Sequence, residues 1–157
     1  MQNVAIALGS NLGDRRAHLD FALARLGDVL TDLRVSRIRE TQPVDVPDEQ
    51  PPYLNAVATG TTTLGAADLL ERLLQIEAAR GRTRPGVRSA RTLDLDLVLY
   101  GDAIIDTPTL KVPHPRFRER AFVLEPLAEV AGDWIDPVTR QTIRALSSEF
   151  RIQNSEF

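Results

Sequence analysis

Apolar and polar positions alternate most regularly between residues 93 and 100. Leu93, Leu95, Leu97 and Leu99 fall on one face of a predicted strand, and Asp94 and Asp96 share the other. Upstream, Val4 to Leu8 is a continuous apolar run ending at Gly9, which predicts a buried first strand. Residues 9–14 read as a turn. Leu19, Ala22, Leu23, Leu26 and Leu30 then recur at helical spacing, placing a helix from Asp14 or Arg15 onward. A weakly alternating strand is expected over residues 35–39. Residues 41–52 carry Pro43, Pro47, Pro51 and Pro52 and read as a loop. Strand character returns from Tyr53 to Thr63, with Tyr53, Asn55 and Val57 on one face and Leu54, Ala56 and Ala58 on the other. A second helix is expected from Ala66 to about Arg80, packing inward through Leu69, Leu70, Leu73 and Ile76 and ended by Gly81.

Residues 81–90 form an arginine-rich loop leading into the aspartate strand, which closes at Gly101-Asp102. Residues 104–105 and 110–112 are short strand candidates flanking Pro108, and His114-Pro115-Arg116 opens a turn. A helix over residues 120–130 must carry Pro126 near its start or kink there. Beyond Gly132 the pattern weakens, and the segment after Ser147 reads as a polar, disordered tail. The order strand, helix, strand, strand, helix, strand is the split β-α-β pattern. It predicts one ferredoxin-like α/β (α+β) domain over residues 1–157, a mainly antiparallel sheet with helices on one face.

Composition narrows the function classes. The chain has 157 residues, 43% hydrophobic and 26% charged, with a net charge of −3 and no cysteine. A size of this order suits one core. The slight negative charge gives no field for nucleic acid or an anionic membrane. Disulfides, thiolate metal sites and thiol nucleophiles are excluded. No basic leader precedes the first apolar run, and no window approaches the ~18 apolar residues of a membrane span. A cytoplasmic protein is expected.

Side chains two apart on a strand face sit about 6.5–7 Å from one another. Asp94 and Asp96 are therefore either a solvated polar face or a pair holding cations on a polyphosphate. Aspartate is disfavoured in strands and like charges repel, which favours a magnesium role. Arg82, Arg84, Arg88 and Arg91 in the preceding loop suit phosphate oxygens through paired donors, whereas Arg80 reads as a solvated helix residue. Glu77 borders the apolar face of its helix and reads as an edge residue. His114 sits in a rigid turn, and His18 reads as exposed. Tyr53 and Asn55 are either a packing pair or a ring and an amide for a flat heterocycle. No dinucleotide fingerprint, phosphate loop or serine–histidine–carboxylate set is present.

Six stretches together carry a resemblance. They are residues 7–14 (ALGSNLGD), 53–56 (YLNA), 81–84 (GRTR), 91–96 (RTLDLD), 112–115 (VPHP) and 120–127 (RAFVLEPL). In this order they resemble the 6-hydroxymethyl-7,8-dihydropterin pyrophosphokinase family of folate biosynthesis, over roughly residues 2–146. The resemblance implies transfer of pyrophosphate from ATP to the pterin hydroxymethyl group with release of AMP, and a loop that closes on ATP. It implies that Asp94 and Asp96 hold two magnesium ions, with Arg82 and Arg91 beside them as catalytic groups. Thr41, Pro43, Val44, Tyr53, Asn55 and Phe122 would line the pterin pocket. Glu77, Arg82, Arg84, Arg91, Leu97, Lys111, His114 and Arg120 would contact or enclose ATP. The chain departs from the family where an aromatic and Gly-Pro usually precede the last arginine. Here the stretch is Arg88-Ser89-Ala90-Arg91, and the sole tryptophan is Trp134. Leu74, Pro115 and Asp45 replace a common glutamine, tyrosine and glycine. The residues alone also admit a palm-type nucleotidyl transferase or a non-catalytic ligand-binding domain on the same scaffold.

Overall fold

A computed structural model describes residues 1–42, 51–80 and 92–154. Its centre is strand β1 (Gln2–Ser10), paired antiparallel on one side with β4 (Tyr53–Thr62) and on the other with β5 (Asp94–Tyr100). Strand β2 (Thr31–Val35) pairs with the far edge of β4, giving the order β2-β4-β1-β5. This is the strand order of a split β-α-β sheet. The strand expected over residues 35–39 is instead two pieces. β2 and β3 (Arg39–Thr41) lie end to end on β4, and Ser36 bridges them by exchanging bonds with the Val57 backbone. The hydroxyl takes a ladder position, so the chain can break without orphaning Val57.

Helices cover both faces of the sheet, not one. Val4, Ile6 and Leu8 project toward α1 (Arg15–Leu26) and α2 (Ala66–Ala79), where Leu19, Ala22, Leu26, Leu69, Leu73 and Ile76 are buried. Ala5 and Val57 face the opposite core, with Ala7 packed against it. That core is built on α3 (Ala121–Ala131) and α4 (Ile143–Gln153) with Phe117. An uninterrupted apolar run is what a strand covered on both faces requires. Asp14 caps α1 by accepting from the Ala17 N–H. Pro126 lies inside α3 rather than at its start. Lacking an N–H, it leaves the Phe122 carbonyl without its intrahelical donor.

Two further expectations change. Leu99 leaves the face of Leu93, Leu95 and Leu97 because a bulge makes Ala5 pair with Leu99 and Ile6 with Leu97, with Val98 as the extra residue. The tail after Ser147 is instead helical through Gln153. Thr142 caps α4 by accepting from the Ala145 N–H, and Ile143, Leu146 and Ser147 bury one face of it. The short strands expected at 104–105 and 110–112 are β6 (Ile105–Asp106) and β7 (Lys111–Val112), which pair antiparallel with each other. The helix between β4 and β5 is described to Arg80; Gly81 lies outside the described residues.

Asp136 anchors the segment before α4. Its carboxylate is fully buried, accepts two bonds from Arg118, and also takes the Val138 N–H and the Thr139 hydroxyl. Burial pushes its pKa up, but the Arg118, Val138 and Thr139 hydrogen bonds and the Arg118 charge together hold it below the usual carboxylate value.

Candidate active site

Cross-strand partners share a face of a sheet. Asp94 pairs with Gly9 and Asp96 with Ala7 on β1, which in turn pair with Asn55 and Val57 on β4. Asn55 pairs with Arg39 and Tyr53 with Thr41 on β3. One face therefore carries the two aspartates on the edge strand, a floor of Ala7 and Gly9, and then Asn55, Tyr53 and Thr41. This is the α3 side. With neighbouring strands about 4.8 Å apart, the aspartates and Asn55 stand about 10 Å apart across the floor.

The floor has to be small. A Cβ on Gly9 would sit 3.2 Å from Asn55 Oδ1 and 3.6 Å from the Tyr53 ring. Asn55 is 6% exposed, and its Nδ2 donates to Thr41 Oγ1 at 2.5 Å, which leaves the amide oxygen on the Gly9 side. Beside this pair the chain entering β4 is held at Pro51 and Pro52. Asn11 Nδ2 donates to the Pro51 carbonyl at 3.2 Å, and Arg15 reaches the Pro52 carbonyl at 2.7 Å and Glu40 at 3.0 Å. Asn11 and Arg15 were missed as site-forming residues. The available signals for Asn11 are its place in a turn and in the 7–14 stretch that carries the resemblance.

Asp94 is half-buried and Asp96 exposed. Among the described residues no third His, Asp or Glu completes a metal-holding cluster with them. Two carboxylates without a third acid leave coordination positions for phosphate oxygens and water, the usual arrangement for magnesium on a nucleotide. The donor set fits that ion. His114 lies beside them, with its N–H donating to the carbonyl of the bulged Val98 at 2.9 Å. Burial lowers the imidazole pKa, the Arg120 and Arg116 charges lower it further, and Asp96 opposes them. These influences favour the neutral ring. Its Nδ1 accepts from the Arg116 N–H at 3.2 Å, which leaves Nε2 as the protonated nitrogen.

The guanidinium of Arg120 lies 5.6 Å from the centre of the Phe122 ring, so the first turn of α3 brings a cation and an aromatic together at the margin of the face. Lys111 is exposed and paired with Asp106. Leu97 is 4% exposed, with its side chain in the core under α1 and α2. Glu77 is not an edge residue. It is 2% exposed, and its Oε2 accepts the Leu95 N–H at 2.7 Å, between the two aspartates. His18 and Arg80 are half-buried and paired rather than freely exposed. Arg80 Nε donates to His18 Nδ1 at 3.0 Å, and its guanidinium lies 4.7 Å from the centre of the Phe21 ring, pinning the end of α2 to α1. Burial and the Arg80 charge lower the His18 pKa against the weaker pull of Asp14 and a backbone bond to Leu12. Pro43, Val44, Arg82, Arg84 and Arg91 lie outside the described residues, as do Asp45 and residues 88–90.

A family model for 7,8-dihydro-6-hydroxymethylpterin-pyrophosphokinase (HPPK) matches residues 5–132. The chain belongs to the HPPK family. It is 41% identical over 138 residues to the 2-amino-4-hydroxy-6-hydroxymethyldihydropteridine pyrophosphokinase of Pseudomonas aeruginosa, covering 85% of this chain and 83% of that protein. The HPPK of Bacillus subtilis that bears the same name is 47% identical over 133 residues, 83% and 79% of the two chains. Among solved structures, a Plasmodium falciparum HPPK-DHPS aligns with a TM-score of 0.78 at 15% identity, covering 98% of this chain and 46% of that one. A further HPPK-DHPS crystal structure, in complex with substrates, aligns at 0.77 and 11% identity. That likeness shows the fold, and this HPPK chain spans less than half the length of those HPPK-DHPS chains. The protein is a pyrophosphokinase, a transferase of folate biosynthesis. Among the described residues no helix is long and apolar enough to cross a membrane.

Proposed function

We propose that this HPPK transfers the β,γ-diphosphoryl group of ATP to the hydroxymethyl oxygen of 6-hydroxymethyl-7,8-dihydropterin, releasing AMP. The observation that carries the reading is the shared sheet face. It sets Asp94 and Asp96 across a floor of Ala7 and Gly9 from Asn55, Tyr53 and Thr41. Asp94 and Asp96 would hold two magnesium ions, which supply charge neutralisation for a polyphosphate when bound. In the transfer, the hydroxymethyl oxygen bonds to the β-phosphorus and the bond from that phosphorus to the α,β-bridging oxygen breaks. AMP leaves with the bridging oxygen, and the hydroxyl proton passes to solvent. Catalysis on this surface is positioning and electrostatics, with no covalent intermediate. Arg82 and Arg91 are assigned to the developing phosphate charge. Arg84, Lys111, His114 and Arg120 are assigned to the ATP side, with Glu77 and Leu97 acting there through β5. Thr41, Pro43, Val44, Tyr53, Asn55 and Phe122 are assigned to the pterin. A cytoplasmic site of action belongs to the same proposal.

The test is product analysis with ATP, magnesium and the pterin: AMP is expected, and ADP would mean a simple kinase. The pocket assignment has its own check. Asn55→Ala is expected to weaken pterin binding at least about tenfold, because a buried amide that pairs with its ligand discriminates strongly. Nucleotide binding should stay within about twofold. Equal loss of both ligands in calorimetric titrations would remove Asn55 from the pterin pocket.

A further inference from the structure

Arg39 has no role in the assignments above, yet it is the cross-strand neighbour of Asn55 and shares its face. Its Nη1 lies 3.3 Å from Glu125 Oε1 and its Nη2 lies 3.1 Å from Glu129 Oε1, both on α3. Glu129 also accepts the backbone N–H of Arg37 at 2.9 Å and lies 3.7 Å from the Arg37 Nε. Two glutamates at i and i+4 repel on a helix surface, and the Arg39 fork between them relieves that repulsion.

Phe122, Glu125 and Glu129 stand at i, i+3 and i+7, one stripe of α3. The stripe runs antiparallel to the strand beneath it. Glu129 meets Arg37 and Arg39, and Glu125 meets Arg39. By ideal helix and strand spacing, one further turn toward the start of the helix would bring Phe122 to about the level of Thr41, two residues beyond Arg39. Three residues of helix rise about 4.5 Å and two residues of strand about 6.6 Å, so the levels agree to about 2 Å.

We propose that the Glu125–Arg39–Glu129 cluster is a latch that sets the height of Phe122 above Thr41 and Asn55, and so the width of the slot that takes a flat heterocycle. Arg39 is then a positioning residue for the pterin and touches no substrate. The inference rests on the pterin assignment of Asn55 and Phe122. A groove of about 480 Å³ lined by Arg37, Ile38, Arg39, Glu125 and Arg151 opens beside the latch, so salt reaches it and screens it.

The experiment is titration of the full chain with the pterin and, separately, with magnesium and a non-hydrolysable ATP analogue. The variants are Arg39→Met, Glu129→Gln, Asn55→Ala and the charge-swapped pair Arg39→Glu with Glu125→Arg. Arg39→Met is expected to raise the pterin dissociation constant about tenfold, the scale on which sub-ångström misplacement acts, and to leave the nucleotide constant within about twofold. The charge swap restores the pair at position 125 but sets the new glutamate against Glu129, so it should recover part of that loss, and higher salt should weaken pterin binding in the wild type but not in Arg39→Met. Glu129→Gln is the milder variant should Arg39→Met fold poorly, and it should shift the pterin constant in the same direction. A lower melting temperature with unchanged pterin binding would make the cluster a stabilising ion pair only and overturn the latch. If Asn55→Ala weakens the pterin and the Arg39 and Glu129 variants do not, the latch alone fails. If Asn55→Ala also leaves the pterin untouched, the pterin assignment itself fails.

Discussion

Replacing Asp94 and Asp96 together with asparagine is expected to lower turnover at least about a thousandfold, with the fold intact. The size follows from removing a polyphosphate charge clamp worth several kcal/mol, at about 1.4 kcal/mol per tenfold. The fold should survive because neither side chain is a core group. Asp96 is exposed and Asp94 half-buried, and β5 is held by its backbone pairing to β1. Asparagine keeps the shape and removes the charge. Manganese titration followed by electron paramagnetic resonance separates the roles: metal retention in the presence of a nucleotide analogue should fall in the double variant. Unchanged manganese retention alongside lost turnover would show that the aspartates act on the reaction without holding a metal.

Glu77→Ala is expected to cost about 2 kcal/mol, because it leaves the buried Leu95 N–H without its acceptor. For a chain of this size that lowers the melting temperature by about 4–8 °C. Among the described residues β5 is an edge of the main sheet, so no strand of that sheet replaces the lost bond. The freed amide lies between Asp94 and Asp96, and turnover should fall about tenfold as their spacing loosens. Glu77→Gln retains a side-chain oxygen and should restore most of the stability. Hydrogen exchange at the Leu95 amide reads the contact directly and should be slow in the wild type and in Glu77→Gln but fast in Glu77→Ala. If glutamine is as damaging as alanine to turnover while protecting the amide, the charge acts on the nucleotide instead.

The sheet was legible where one physical signal dominated. Val4 to Leu8 is legible as a short apolar run stopped at Gly9, Asp94 to Leu97 as a strict alternation of acid and leucine, and Leu69, Leu73 and Ile76 mark α2 equally plainly. The errors fall where local pattern is overruled by pairing. The Val98 bulge moves Leu99 to the other core, which alternation cannot foresee because the extra residue is defined by the partner strand. Ser36 splits a strand because its hydroxyl stands in for a ladder group. Helix α4 carried its signals in the cap Thr142 and the spacing of Ile143, Leu146 and Phe150, but its polar composition masked them. The second helical layer packs on the small side of β1, where Ala5 and Ala7 lie opposite Val4, Ile6 and Leu8, and small residues alone do not announce a covering helix.

The aspartate pair and the Tyr53–Asn55 face were readable as residue types at a spacing. That they form one surface was not readable, since it depends on β1 lying between β4 and β5. Glu77 looked like a helix-edge residue because its partner is a backbone N–H on another element, and no side-chain pattern announces that. Arg39 and its glutamates are far apart in sequence and meet only because α3 crosses the α3-side face.

The most direct measurement follows the label from ATP carrying radioactive phosphorus at the β position, incubated with enzyme, magnesium and 6-hydroxymethyl-7,8-dihydropterin. The label is expected on the pterin, with unlabelled AMP formed in equal amount and both products at least about a thousandfold slower with the Asp94→Asn, Asp96→Asn protein. Label retained on ADP would mean that only the γ-phosphoryl group moves, and would contradict the account.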